Sequence, residues 1–228
     1  MRTCRRYYLD RMLSQFEFYG DVIDIGGKKN NKRGKFVPPL KKVKSWKYVN
    51  IDETTHPDYL CSGDAICVEN DSFDIAIITE VLEHIENPSD FIKEAKRVLK
   101  PEGIVLITMP LLYPVYDDPD DLQRWTYKKL ELELISNGFE INVVKPMGST
   151  FAVIFDLLHV SIGKASKNKG ALKNRIISKY IFPFFSRICL LLDKKYYYKS
   201  QWITTGYFLV GKNIKKGFLN DGQDTYSF

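Results

Sequence analysis

The acids Asp24, Asp52, Asp64 and Glu80 recur along the first third of the chain, each at or near the end of an apolar run. Asp24 sits in Asp21-Val-Ile-Asp-Ile-Gly-Gly27, where a β-type run delivers one carboxylate to a glycine pair. Gly26 and Gly27 permit positive φ and leave no side chain between the backbone and a ligand. Asp52 follows 28 residues later, where an acid can accept both hydroxyls of a ribose. Asp64, in Ser62-Gly-Asp-Ala65, is placed to accept from an adenine amine. Together these residues describe an adenosine site. The turn after Gly27 runs on into Lys28-Lys-Asn-Asn-Lys-Arg33, without the G-x-G-x-x-G spacing of a dinucleotide site. The absence of a phosphate-binding glycine helix argues against NAD and ATP. Three histidines and four cysteines, with no C-x-x-C pair, give no metal-ligand spacing, so no metal is expected.

The surrounding residues predict the elements that must hold these groups. A helical pattern over 5–18 ends at Gly20, and strands follow at 21–25 and 46–51. Phe73–Thr79 is a near-continuous apolar run, as in a strand buried on both faces, and Glu80 closes it. A helix over 88–99 with Ser89 as its N-cap precedes a turn at 100–103 and a buried strand at 104–109. A helix over 127–136, ended by Asn137-Gly138, leads to strands at 139–144 and 204–210. Strands alternating with helices predict a doubly wound, Rossmann-like α/β sheet, which binds ligands at the carboxyl ends of its strands.

The stretch 148–200 breaks the alternation. Residues 151–162 are apolar, and 172–192 carry an apolar stripe on one helical face, with Pro183 read as a kink and basic residues flanking it. We read residues 1–213 as a single domain with a helical amphipathic insert at 148–200 and a polar tail over 214–228. The net charge of +6 is unevenly spread. Nine Lys/Arg and no acid lie between Lys28 and Lys47, and ten Lys/Arg with only Asp193 lie between Lys164 and Lys199. Such patches suit an anionic partner: phosphate, nucleic acid or a lipid surface. Unpaired cysteines and the lack of a signal peptide point to the cytoplasm, and no run is long and apolar enough to span a membrane.

Taken in order, Val22-Ile-Asp-Ile-Gly-Gly, Asn50-Ile-Asp52, Gly63-Asp-Ala65, Glu80-Val-Leu-Glu-His84, Leu99-Lys-Pro-Glu-Gly103 and Ile104–Pro110 resemble a class I S-adenosylmethionine-dependent methyltransferase of the type 11 kind. The likeness covers about residues 20–146 and a last strand near 204–211. Residues 110–139, with Pro110-Leu-Leu-Tyr113 and Arg124-Trp-Thr126, are similar to methyltransferases encoded with bacterial surface-polysaccharide enzymes. The resemblance implies a seven-stranded, mostly parallel sheet with an antiparallel last strand, and S-adenosylmethionine as cofactor. It implies that Asp24 orients the methionine part, Gly26 and Gly27 pass beneath it, Asp52 holds the ribose, Asp64 and Ala65 face the adenine, and Glu80 stands near the amino-acid end. Lys28 replaces a glycine usual in the first motif, and Tyr116 stands where relatives often have His.

The implied enzyme transfers a methyl group to a hydroxyl of a sugar or lipid-linked glycan. His84, Asp117 and Tyr116 are the candidate catalytic groups, and Tyr113, Asp121 and Arg124 the candidate substrate contacts. The basic amphipathic stretch 172–192 fits the inner face of an anionic membrane, or else a lid or dimer face. Two alternatives stay open: methylation of RNA or another small molecule, and a non-catalytic cofactor-binding module. No RNA-binding appendage and no Asn-Pro-Pro-Tyr-type motif accompanies the strand ending at Thr79, which disfavours nucleic acid.

Overall fold

Val22, Ile23 and Ile25 are each fully buried, which requires apolar cover on both sides of their strand. The computed structural model, which describes residues 3–30, 34–115, 120–166, 181–196 and 203–214, supplies that cover with two helical layers around one sheet. The elements run α1 (Cys4–Gln15), β1 (Asp21–Ile25), β2 (Ser45–Asn50), β3 (Tyr59–Leu60), β4 (Phe73–Thr79), α2 (Pro88–Val98), β5 (Leu99–Pro110), α3 (Tyr127–Ser136), β6 (Phe139–Pro146), α4 (Thr150–Ser166), α5 (Phe182–Tyr196) and β7 (Gly206–Asn213). The seven strands lie in the order β3-β2-β1-β4-β5-β7-β6. The first five are mutually parallel, and β7 enters antiparallel between β5 and β6. This is the seven-stranded sheet with a reversed last strand that the sequence resemblance implies.

Side chains alternate between the two faces of each strand. Ile23, Ala76 and Val105 face α2 and α3, meeting Phe91, Ile92 and Leu130. Val22, Ile75 and Leu106 face the other way, toward Tyr8 and Leu9 of α1, Phe155 of α4 and Phe182 of α5. The described part of the 148–200 insert therefore packs on the α1 face of the sheet. Residues 167–180, and the tail beyond Ile214, lie outside the described residues.

Local expectations are corrected in five places. α1 stops at Gln15, and Phe16 and Phe18 turn into an aromatic cluster with Phe36 and Trp46. The two-residue β3 carries no periodicity that a sequence pattern detects. Ser89 does not cap α2; the helix starts at Pro88, whose missing N–H costs nothing there, and the Ser89 hydroxyl accepts from the Asn137 side chain at 3.3 Å. The turn expected at 100–103 is part of β5, where the pairing with β4 jumps from Phe73–Leu99 to Ile75–Ile104; Pro183, read as a kink, stands in the first turn of α5.

Central β5 pairs with both β4 and β7, so its core side chains should carry much of the stability. Leu106 is completely buried in it. We predict that Leu106→Ala lowers stability by about 2–5 kcal/mol, seen in urea denaturation as a lower midpoint with an unchanged slope.

Candidate functional site

The carboxyl ends of β1, β2, β4 and β5 form one rim, and the predicted acids stand along it. After β1 the chain turns sharply at Gly26, with φ of +78°, and its N–H donates to the Val49 carbonyl at 2.8 Å. A Cβ at Gly26 would lie 2.5 Å from Val81, and one at Gly27 would lie 2.3 Å from the Asp24 carboxyl carbon. The glycine pair is thus wedged between the Asp24 carboxylate and the segment after β4. Asn50 clamps the turn from the neighbouring strand: its amide donates to the carbonyls of Gly26 at 3.2 Å and Gly27 at 3.0 Å. The sequence reading gave Asn50 no role; its side-chain bonds cross to another strand, and only their register reveals them.

Asp52 begins the turn Glu53–Thr55 and accepts from the Thr54 N–H at 3.0 Å and the Thr54 hydroxyl at 2.6 Å. These bonds, with a smaller contribution from Lys28, hold its carboxyl below the usual carboxylate range. Both fall on Oδ1; among the described residues Oδ2 accepts no hydrogen bond and is available for a pair of ribose hydroxyls. Asp64 and Ala65 are exposed beside Gly63, which is buried against Phe91 and Ile25. These positions and side chains fit an adenosyl cofactor: an acid for the ribose, exposed residues for the adenine, and a side-chain-free turn beside Asp24. Lys28, the departure from the family pattern, is close enough to Asp52 to act on it electrostatically.

Glu80 occupies left-handed backbone, φ +59°, a conformation that costs a non-glycine residue about 1–2 kcal/mol. Thr108 of β5 compensates: its hydroxyl oxygen accepts from the Glu80 N–H at 3.0 Å and its O–H donates to Glu80 Oε1 at 3.0 Å. Glu80 also forms a buried ion pair with Arg5 of α1. The Arg5 guanidinium in turn lies 4.1 Å from the centre of the Tyr113 ring. Predicted substrate contact Tyr113 is therefore covered by Arg5, and burial pushes its phenol up.

The turn Leu82–His84 follows, and residues 120–125 fold onto it. Leu122 and Gln123 donate to the Glu83 carbonyl at 2.8 and 3.3 Å. His84 Nδ1 is 2.7 Å from the Asp120 carbonyl, which can only accept. The neutral ring therefore carries its proton on Nδ1, and Nε2 is the basic nitrogen. The other two predicted substrate contacts, Asp121 and Arg124, pair with each other, with the Asp121 side chain only 2% exposed. Candidate bases Tyr116 and Asp117 lie outside the described residues. Among the described residues no three His, Cys, Asp or Glu side chains are grouped to hold a metal ion.

One group of the rim carried no predicted role. Glu83 is completely buried, and among the described residues neither carboxyl oxygen has a hydrogen-bond partner. Burial, and secondarily the Glu80 carboxylate, push it up to about 8. Its sequence signal was the Glu80…Glu83-His84 spacing, which places a second acid one turn from the first. A shallow cleft of about 460 Å³ lined by Lys93, Lys96 and Arg97 lies at the opposite end of the strands. Those cations already serve Asp90, the Gly138 carbonyl and Glu94, so it is not the cofactor cleft.

The Glu83 environment gives a signed pH prediction. Between a glutamate's ordinary value of 4.5 and about 8, the folded protein keeps a proton that the unfolded chain has released. Stability contributed by this group is full below the unfolded value and falls as pH rises through that window. Glu83→Gln, which mimics the protonated form, should match the parent near pH ~4.5 and exceed it by about 2 kcal/mol or more near pH ~8.5. Thermal denaturation of both proteins across that range checks this; parallel curves would show that Glu83 titrates normally.

With this geometry in place, comparison with known proteins gives a consistent result. A family model described as a methyltransferase domain matches residues 3–138. No curated protein matches the chain. Among solved structures, the [4+2]-cyclase SpnF superposes with a TM-score of 0.57 at 16% identity, over 90% of this chain and 80% of that one. A methyltransferase candidate from Bacillus halodurans C-125 gives 0.55 at 14% identity, over 90% of this chain and 99% of its own. Phosphoethanolamine N-methyltransferase 2 of Haemonchus contortus, in complex with S-adenosyl-L-methionine, gives 0.54 at 15% identity, over 92% of this chain and 52% of that one. At these identities the superpositions speak for the fold, and the family match speaks for descent. The glycine turn, Asp52 and the rim of strand ends thus belong to a member of the class I S-adenosylmethionine-dependent methyltransferase family.

Proposed function

We propose that this methyltransferase acts on a hydroxyl of a sugar, free or carried on a lipid, in the building of a cell-surface polysaccharide. The observation that carries the hydroxyl reading is the cluster Glu80, Glu83 and His84 beside the glycine turn, where Val81 touches Gly26. The cofactor brings an activated methyl group on sulfonium. A hydroxyl acceptor still has to lose a proton, and a positioned base typically contributes about 10²–10⁴-fold. His84 Nε2 is a basic nitrogen at this mouth, 3.8 Å from Glu83 Oε1. Asp117 and Tyr116 remain the alternative bases. The remaining work is orientation, since an acceptor held in line at about 3 Å gains most from proximity alone. The sugar reading draws on the polar segment 113–124, which is similar to that of polysaccharide-cluster methyltransferases.

The similarity to SpnF, whose name is that of a [4+2]-cyclase, is a reminder that this fold hosts other chemistry, so turnover must be measured. The purified protein with methyl-labelled S-adenosylmethionine should label nucleotide sugars or lipid-linked glycans. Label appearing only in RNA, or in an amine acceptor, would overturn the sugar reading. Asp52→Ala should weaken calorimetric binding of S-adenosylmethionine by about 10- to 100-fold, the usual effect of losing a charged hydrogen-bonding partner. Unchanged binding would show that the ribose lies elsewhere.

A further inference from the structure

Among the described residues, α4 and α5 leave one side uncovered. On α4, Ile154, Leu157, Leu158 and Ile162 are each 41–45% exposed, at the three- and four-residue intervals of one helical face. On α5, Phe184, Ile188 and Leu191 repeat that pattern, with Phe184 67% and Leu191 69% exposed, and exposed Ile181 just before the helix continues it. The opposite sides are anchored. Asp156 of α4 accepts from the N–H groups of Cys4 and Arg5 at 2.6 and 2.9 Å, and Asp193 of α5 accepts from the Tyr8 hydroxyl at 2.5 Å. Both apolar faces therefore point away from α1, on the outer surface of the pair. Among the described residues no helix is long and apolar enough to cross a membrane.

Charge identifies the occupant. Asp156 and Asp193 are the only acids in the two helices, and both are fully buried. Their outer surface therefore carries no carboxylate. Arg187 lies one turn from both Phe184 and Leu191, and Lys195 one turn beyond Leu191 along the same face, with Lys194 next to it; all three cations are exposed. An apolar face on which the described charges of its own helices are all cations is complementary to a bilayer that offers acyl chains below and anionic headgroups at the level of the rim. We infer that the outer face of α4 and α5 seats this enzyme on an anionic membrane, with Phe184, Ile188 and Leu191 in the acyl boundary and Arg187, Lys194 and Lys195 among the headgroups. This does not rest on the identity of the methyl acceptor. It assigns the contact to α4 and residues 181–195; the remainder of the predicted stretch, 172–180, lies outside the described residues.

Flotation of the full-length protein with vesicles tests it. Recovery with vesicles of equal phosphatidylglycerol and phosphatidylcholine should exceed recovery with phosphatidylcholine alone by about 10-fold or more. The double variant Phe184→Glu with Leu191→Glu should lower the anionic recovery by a similar factor, while S-adenosylmethionine binding by calorimetry stays at the parent level and shows that the variant is folded. The triple variant Arg187→Gln, Lys194→Gln and Lys195→Gln, which keeps the apolar face, should lose the preference for anionic vesicles. Failure of the parent to float would overturn the proposal. So would a dimer in light scattering that the Phe184/Leu191 variant splits without any vesicle binding, since the face would then belong to a second copy.

Discussion

Arg5 is the counter-charge on which the rim of strand ends depends. A parallel sheet that gathers its acids at one edge brings Glu80 and Glu83 together; burial first, and the Glu80 charge second, push the Glu83 carboxyl up. The Arg5 side chain is 4% exposed and the Glu80 side chain 10%. In such surroundings an unpaired charge is far more costly than at the surface: breaking a buried pair typically costs about 3–5 kcal/mol. The strained backbone of Glu80 is held from one side by Thr108 and from the other by Arg5. The approach to the glycine turn is therefore set by a helix that precedes the sheet in sequence and is not part of it.

That dependence explains what could and could not be read from the chain. The strands β1 and β4, the glycine turn and the acids at their ends were legible because a buried parallel strand leaves a dense apolar run and its end leaves a charge. The antiparallel insertion of β7 followed from resemblance, not from periodicity. Asn50, Glu83 and Arg5 were not legible as site residues. Asn50 and Arg5 act through partners on other elements, Asn50 reaching across to the β1 turn and Arg5 from α1 to Glu80, while Glu83 acts through burial that only the folded chain creates. Ser89 misled because a serine beside a proline looks like a cap, whereas proline at the first helical position already satisfies the geometry. Tyr113, Asp121 and Arg124 were recognisable as polar residues near the mouth, but spacing could not show that they are engaged with Arg5 or with each other.

The basic loop after Gly27 reads differently once its partners are placed. Lys29 and Lys47 both pair with Asp58, and Lys44 pairs with Asp21. Asp58 in addition accepts from the Tyr48 N–H at 3.0 Å. Part of the charge that suggested an anionic partner is thus spent on holding the β1–β2 region together, although pairs this exposed contribute little each. The run at 164–199 differs, because its only acid, Asp193, points into the protein.

The two buried aspartates give α4 and α5 their orientation. An apolar helix pair packed on an apolar sheet face has many rotations of similar energy, and hydrophobic burial alone does not choose among them. Asp193 removes that freedom by accepting from the Ser149 and Ala152 N–H groups and the Tyr8 hydroxyl at once. Asp156 does the same through the first two N–H groups of α1, although burial pushes its carboxyl up to about 6. A satisfied buried polar network accepts one arrangement of its partners. Rotating either helix to hide Phe184 or Leu158 would pull a carboxylate out of that network and leave its donors unpaired. The exposed apolar face is therefore not slack in the packing. It is fixed outward by the same α1 that carries Arg5 to Glu80, so the surface and the rim of strand ends keep a set position relative to each other.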